Sequence, residues 1–512
     1  MLSKTFSATI LGLNAYLVEV EVNATGQGEY SALNIVGLPD TAVKESVQRI
    51  KSAINNSGYS IPQGENVVNL APADIKKEGA IFDLPIAAAL LGAGNIINRE
   101  SLSKVLIIGE LGLDGKVRPI KGILPIVLEA RKFTNIKAII VPEENAIEAA
   151  SVANNQLYVY SVSTLYETIQ LLNKEIKKQR VIVNFNANDF PTDFPDFSEV
   201  KGQYTAKRAL EISAAGGHNC LMIGPPGTGK SMLAKRLPSI LPPLTEEESI
   251  ESSTIHSVVG GLRDGKLLKL RPFRAPHHTI SDAGLVGGGH NIPKPGEITL
   301  AHNGVLFLDE LPEFKRSALE VMRQPLENRE VTISRVSGVF TYPAKFILIA
   351  ALNPCPCGHY GNYRKNCTCS HSQIARYRSK ISGPLLDRID LHIEVPELSE
   401  KELFTDAPAE SSYEIRNRVM KARKKQELRF QNKYSMLSNS DMTSKELKEF
   451  CKFDKETERF IRHIIIKKQL SARSYDRILK VARTIADLAE KDEIDLEDIT
   501  EAIQYRNPEL LS

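Results

Sequence analysis

Residues 220–231 constrain this chain more than any other stretch. A short apolar run, Cys220-Leu-Met-Ile-Gly224, leads into Gly224-Pro-Pro-Gly-Thr-Gly-Lys-Ser231, and a helical pattern opening Met232-Leu-Ala-Lys-Arg follows. Strand, glycine-rich turn and helix in that order make a phosphate cradle. Gly224, Pro225, Pro226, Gly227, Thr228 and Gly229 form the turn, whose glycines let successive N–H groups point inward around an anion. The helix start adds the positive end of its dipole. Lys230 supplies a point charge for the β- and γ-phosphates, and the Ser231 hydroxyl can ligate Mg²⁺. The stretch around this element alternates short apolar strands with helices.

Two further strand ends fit beside it. Val305-Leu-Phe-Leu-Asp-Glu310 is an apolar run ending in two acids, which suits Asp309 for holding Mg²⁺ and Glu310 for general-base work on water. The next Leu-Pro-Glu-Phe is expected to open a helix. Phe346-Ile-Leu-Ile-Ala-Ala-Leu ends at Asn353, whose amide can orient that water or sense the γ-phosphate, or simply cap the strand.

The rest of the chain divides by pattern. Within 512 residues, 65 basic against 62 acidic side chains give a net charge of +3, so any nucleic-acid surface must be a local patch. Residues 1–175 mix alternating strand patterns (Ala15 to Val22) with amphipathic ones (Thr41 to Asn55), which predicts an α+β or α/β domain. Residues 176–195 read as a linker and 196–396 as the nucleotide-binding core. Residues 397–512, rich in Glu, Lys, Arg and Leu, read as a helical bundle. No uninterrupted apolar stretch reaches about 18 residues and no secretory signal opens the chain, so a cytoplasmic protein without membrane partners is expected.

Four of the six cysteines cluster as Cys355-Pro-Cys357 and Cys367-Thr-Cys369. Together they can supply four thiolates to a structural Zn²⁺; the same spacing also suits four free thiols or a redox pair. Cys220 and Cys451 read as solitary core residues. Arg416, Arg418, Lys421, Arg423, Lys424, Lys425 and Arg429 crowd one predicted helix, either as a DNA-facing surface or as a solvated face.

Long phrases across the chain carry a family resemblance. They include Val36-Gly-Leu-Pro-Asp-Thr-Ala-Val-Lys-Glu, Val68-Asn-Leu-Ala-Pro-Ala-Asp, Arg271-Pro-Phe-Arg-Ala-Pro-His-His, Ala301-His-Asn-Gly-Val-Leu-Phe-Leu-Asp-Glu and Ser471-Ala-Arg-Ser-Tyr-Asp-Arg. With the phosphate cradle they resemble the magnesium-chelatase-like AAA+ ATPases of the ComM/YifB family. The resemblance implies an α/β multidomain chain: an N-terminal domain similar to Lon protease (ribosomal S5 domain 2-like), an AAA+ P-loop core and a C-terminal helical lid. It implies a ring, typically a homo-hexamer, that spends ATP with Mg²⁺ on moving along DNA and promoting branch migration; a chelatase-type or protein-remodelling motor is the alternative. It makes Arg388, in Leu385-Leu-Asp-Arg-Ile-Asp390, an arginine finger acting on a neighbour's nucleotide. Arg473 becomes a lid arginine acting on the phosphates of its own chain. Gly284 to Ile298 corresponds to the group's helix-2 insert, and residues 330–345 to a hairpin before the Asn353 strand. Lys294 and Arg335 on these elements are candidates for gripping a DNA backbone. In the Lon-like segment Ile81 and Leu124 stand where a protease needs Ser and Lys, so no peptidase activity is expected.

Overall fold

The computed structural model describes residues 1–26, 30–183, 195–289, 292–336, 338–362, 365–400, 402, 409–431, 438–468 and 470–506. Most of the expected linker, Ser337 and Arg364 lie outside the described residues. The chain forms two compact units: Met1–Asn188 with Thr245–Leu268, and Asp189–Leu244 with Lys269–Ser512.

The first unit is built on a seven-stranded mixed sheet. Its spatial order is Ser31–Val36, Gly64–Ala71, Asn14–Ala24, Leu2–Leu11, Val105–Ile107, Ala138–Pro142, Tyr158–Val162. Strand Asn14–Ala24 buries Val18, Val20 and Val22 on one face and pairs antiparallel with Leu2–Leu11, Val20 opposite Thr5. That is the alternation its sequence predicts. Helix Thr41–Asn56 starts where Asp40 accepts the Val43 N–H at 2.8 Å. Helix Asp83–Ala93 is apolar on every side after its first residue, and all of it is buried. Arg49 Nε donates to Asp83 at 2.8 Å, which offsets part of the cost of burying that carboxyl. Val181 donates its N–H to Val159 O at 2.9 Å, so the start of the expected linker docks on the edge strand.

Helix Glu246–Val259 was expected within the nucleotide-binding core of residues 196–396, yet it packs in the first unit. A Thr245/Glu248 capping box starts it. Near its end Ser257 accepts the Gly122 N–H through its carbonyl (3.0 Å) and the Leu124 N–H through its hydroxyl (3.3 Å).

The second unit contains a parallel sheet of spatial order Phe273–Arg274, Gly304–Leu308, Phe346–Leu352, Cys220–Ile223, Leu391–Glu394. The central strands are buried throughout, as parallel strands covered on both faces must be. Helices Ser412–Phe430, Ser444–Phe450, Lys455–Lys468, Ala472–Leu488 and Leu496–Gln504 follow. They do not form a core of their own: Val419, Ala482 and Ile499 share one apolar cluster with Cys220, Leu237 and Ile393. The basic stripe of Ser412–Phe430 is largely spent within this unit. Arg418 pairs with Glu211 and Glu410, Lys421 with Glu490, Arg429 with Asp487, and Arg423 donates to Ala214 O. No helix among the described residues is long and apolar enough to cross a membrane.

Candidate active site

Sheet order brings the three strand ends together. Phe346–Leu352 lies between Cys220–Ile223 and Gly304–Leu308, so the residues after all three emerge on one edge. Helix Lys230–Ile240 begins directly after the turn, and its N-cap, Gly229, lies in the left-handed region with no side-chain acceptor for the first-turn N–H groups. Gly227 also has a left-handed backbone (φ +82°), and the space its missing Cβ would take is open.

Lys230 is folded back over this turn. Its ammonium donates to Gly224 O at 2.6 Å, Pro225 O at 2.8 Å and Asn353 Oδ1 at 3.3 Å. Burial pushes it down to about 8, and Asp309 and Glu310 only partly offset that. The acceptors of its hydrogen bonds are all neutral oxygens, and a polyphosphate would bring an anion to it. Ser231 donates its hydroxyl proton to Asp309 Oδ2 at 2.6 Å. That hydroxyl–carboxylate pair beside the anion cradle is an oxygen donor set suited to Mg²⁺, which keeps several waters and takes few protein ligands.

Glu310 follows Asp309 but does not continue the strand. Alternation would aim the two side chains to opposite faces. Glu310 instead turns left-handed (φ 52°, ψ 48°), and its N–H bonds back to Asp309 Oδ1 at 3.0 Å. The expected helix after it is therefore delayed: Leu311–Glu313 makes one 3₁₀ turn, and the helix starts at Arg316. Two residues that the sequence left without a role complete the site. His278 Nδ1 lies 3.2 Å from Glu310 Oε2. Gln203 Nε2 donates to Thr228 O at 3.3 Å and to Pro396 O at 2.8 Å, tying the turn to the end of the sheet. His277-His278 closes the run Arg271-Pro-Phe-Arg-Ala-Pro-His-His, yet nothing in spacing alone links it to Glu310.

The arginines lie elsewhere. Arg388 pairs with Glu327 of its own chain and donates to Pro384 O at 2.8 Å. Arg473 is exposed, just inside the start of helix Ala472–Leu488, and its charge acts on the same Glu327, holding that carboxyl below its usual range together with Arg388. No contact among the described residues joins Arg473 to the phosphate turn. Lys294 and Arg335 are both exposed. Arg335 sits in the hairpin Glu330–Arg335/Gly338–Pro343 and donates to Gly289 O at 3.3 Å, while Tyr342 bonds Pro293 O, so the two glycine-containing elements brace each other. Cys220 and Cys451 are buried singly; the other four cysteines are gathered, with every pair of sulfurs within 4.8 Å.

Comparison with known proteins bears on this site. Residues 196–403 match the family described as magnesium chelatase, subunit ChlI; residues 18–145 and 409–506 match two further ChlI-derived families. Over 511 residues the chain is 43% identical to competence protein ComM of Haemophilus influenzae, covering 99% of this chain and 97% of that one. The chain belongs to the ComM/YifB family of magnesium-chelatase-like proteins. It is also 43% identical over 498 residues to YifB of Salmonella typhimurium, covering 97% and 95% of the two chains. A shorter match, 27% identical over 186 residues, joins a third of it to Lon protease 2 of Bacillus subtilis. An ATPase of this ComM/YifB type is what the phosphate turn and the Asp309–Ser231 pair equip it to be.

Proposed function

We propose that this chain is a ring-forming AAA+ motor that couples Mg-ATP hydrolysis to translocation on DNA and branch migration. The observation that carries the ATPase part is that the phosphate turn is bonded to both neighbouring strand ends, Lys230 to Asn353 and Ser231 to Asp309. In this reading the N–H groups of Gly227 to Ser231 hold the phosphates. Ser231 and Asp309 hold Mg²⁺, which would neutralise charge on the phosphate oxygens. Glu310 takes a proton from the attacking water, oriented by Asn353. Arg388 leaves Glu327 and reaches a neighbouring copy's γ-phosphate. Arg473, at the start of helix Ala472–Leu488, acts on the phosphates of its own chain. A ring of copies, homo-hexameric by resemblance, follows from a site that needs its neighbour.

The N-terminal unit is read as a Lon-like domain without peptidase activity. Leu124 is fully buried and Ile81 packs against the two apolar clusters of that unit, so both aliphatics fill core where a protease would place Ser and Lys. The C-terminal helices are read as the lid. The DNA part rests on the family resemblance and on the exposed positions of Lys294 and Arg335. The matches to magnesium-chelatase subunits favour one second reading, a motor that remodels a protein partner.

Steady-state ATP hydrolysis with Mg²⁺, with and without single-stranded and forked DNA, tests the proposal, with Glu310→Gln as control. Strong DNA stimulation, abolished in the variant, is expected. Hydrolysis indifferent to every DNA would overturn the DNA part and favour the remodelling motor.

A further inference from the structure

The four gathered cysteines stand immediately beyond Asn353, and their geometry matches one particular ligand. Cys355 Sγ is 3.3 Å from Cys357 Sγ and 3.7 Å from Cys367 Sγ, and Cys357 Sγ is 3.6 Å from Cys367 Sγ. Four sulfurs at Zn–S bonds of ~2.3 Å form a tetrahedron with edges of ~3.8 Å. The measured separations are close to that edge. An iron–sulfur cluster, with bridging sulfides between its metals, holds its cysteines further apart. Backbone donors are already aimed at these sulfurs: Tyr360 N–H to Cys355 Sγ at 3.3 Å, Cys369 N–H to Cys367 Sγ at 3.4 Å and Cys357 N–H to Cys369 Sγ at 3.4 Å. Such N–H···S bonds stabilise thiolates and orient them as ligands.

The loop these cysteines close is not a free appendage. Gly358 turns left-handed (φ +82°), and a Cβ there would lie 2.6 Å from Pro226 Cδ, so the knuckle lies flush against the phosphate turn. At its base Arg378 Nε donates to Pro354 O at 3.3 Å and its guanidinium stacks 5.4 Å from the Tyr360 ring. On the far side Asn362 Nδ2 donates to Glu397 Oε1 at 2.7 Å. Asn353, two residues before the first cysteine, accepts from Lys230.

We propose that Cys355, Cys357, Cys367 and Cys369 bind one structural Zn²⁺, and that the stapled knuckle clamps Pro226 and Asn353 so that the metal sets nucleotide affinity. With four protein thiolates the ion has no open position, so its role is mechanical. The clamp rests on the nucleotide-binding reading above; the metal site does not.

The experiment uses the full-length chain purified with Zn²⁺ present. Elemental analysis should give about one zinc per chain and no iron. The double variant Cys367→Ser/Cys369→Ser should lose the zinc and bind a fluorescent ATP analogue at least tenfold more weakly. Gly358→Ala should keep the zinc, since all four thiolates remain, and still weaken binding several-fold, because the added Cβ meets Pro226 and strains the left-handed turn that carries the contact; this arm stands even if the cysteine variant fails to fold. No zinc, or iron with sulfide in its place, overturns the metal site. Zinc present with wild-type nucleotide affinity in Gly358→Ala overturns the clamp. If the wild type binds no nucleotide, the clamp falls with the nucleotide reading, while the zinc content still decides the metal site.

Discussion

His278 Nδ1 and Glu310 Oε2 stand 3.2 Å apart, joining a histidine ahead of the Asp309 strand to the acid that ends it. Glu310 is half exposed and held in left-handed backbone, a conformation that costs a non-glycine residue about 1 kcal/mol or more. A side chain so placed has several rotamers open to it, and the imidazole selects one. His278→Ala is therefore expected to lower kcat for ATP about tenfold, a fraction of what a general base supplies. KM should change less than twofold, since the histidine touches neither the turn nor Ser231. His278→Gln, which keeps a donor, should restore part of kcat. A change confined to KM would refute the positioning role.

Lys230 gives the site a pH dependence whose sign is fixed. Burial brings its ammonium down to about 8 in the free site. A bound triphosphate favours the charged form, so binding above pH 8 takes up a proton. Nucleotide affinity should be flat below pH 7 and fall by up to about tenfold per pH unit above 8. Titrations from pH 6.5 to 9.5 check this. In Lys230→Arg, which stays protonated, the slope should vanish whatever the absolute affinity.

Asp390 anchors the arginine-bearing segment rather than joining the chemistry. It accepts from His218 Nδ1 at 3.2 Å and Arg477, and it is almost fully buried. Burial alone would raise its pKa, but Arg477, His218 and Lys480 more than offset that and hold the carboxyl far below the usual range. Such a group stabilises the fold above its unfolded pKa of ~4 and loses that contribution as pH falls. Asp390→Asn removes the anion facing the half-buried Arg477 and Lys480 and should cost about 3 kcal/mol at pH 7. Denaturant midpoints should show the gap from wild type narrowing as pH drops below 4.

If the braced elements grip a phosphate backbone, Lys294→Ala/Arg335→Ala should keep basal ATP hydrolysis and lose most of its stimulation by DNA. The salt dependence of DNA binding should flatten by about one unit of slope per residue removed. Unchanged stimulation would place the DNA contact elsewhere.

The site was legible where local chemistry is self-contained. The turn from Gly224 to Ser231 announces its own geometry, because glycines, a lysine and a helix start have few other uses in that order. The strand ends at Asp309 and Asn353 were legible for the same reason, and the sheet order then brought them together. Contacts that depend on tertiary register were not: nothing in the spacing of His278 and Glu310 requires them to meet. The basic helix Ser412–Phe430 misled in the opposite direction, since its charges read as a surface but several are spent on Glu211, Glu410, Glu490 and Asp487. The division into segments differs at Glu246–Val259, a helix that buries mostly serines and threonines, so no apolar stripe in its sequence signals which unit it will join.

That helix has a consequence for the order of events at the ribosome. Because Thr245–Leu268 belongs with Met1–Asn188, the N-terminal unit lacks a piece of itself until residue 268 has emerged. By then the strand Cys220–Ile223 and the phosphate turn are already out, still waiting for partners such as Phe346–Leu352 that have not been made. Vectorial synthesis, which lets a simple two-domain chain finish one half before starting the other, cannot do so here. The chain also passes between the units three times, so a single proteolytic nick between residues 183 and 195 would leave the two halves covalently joined.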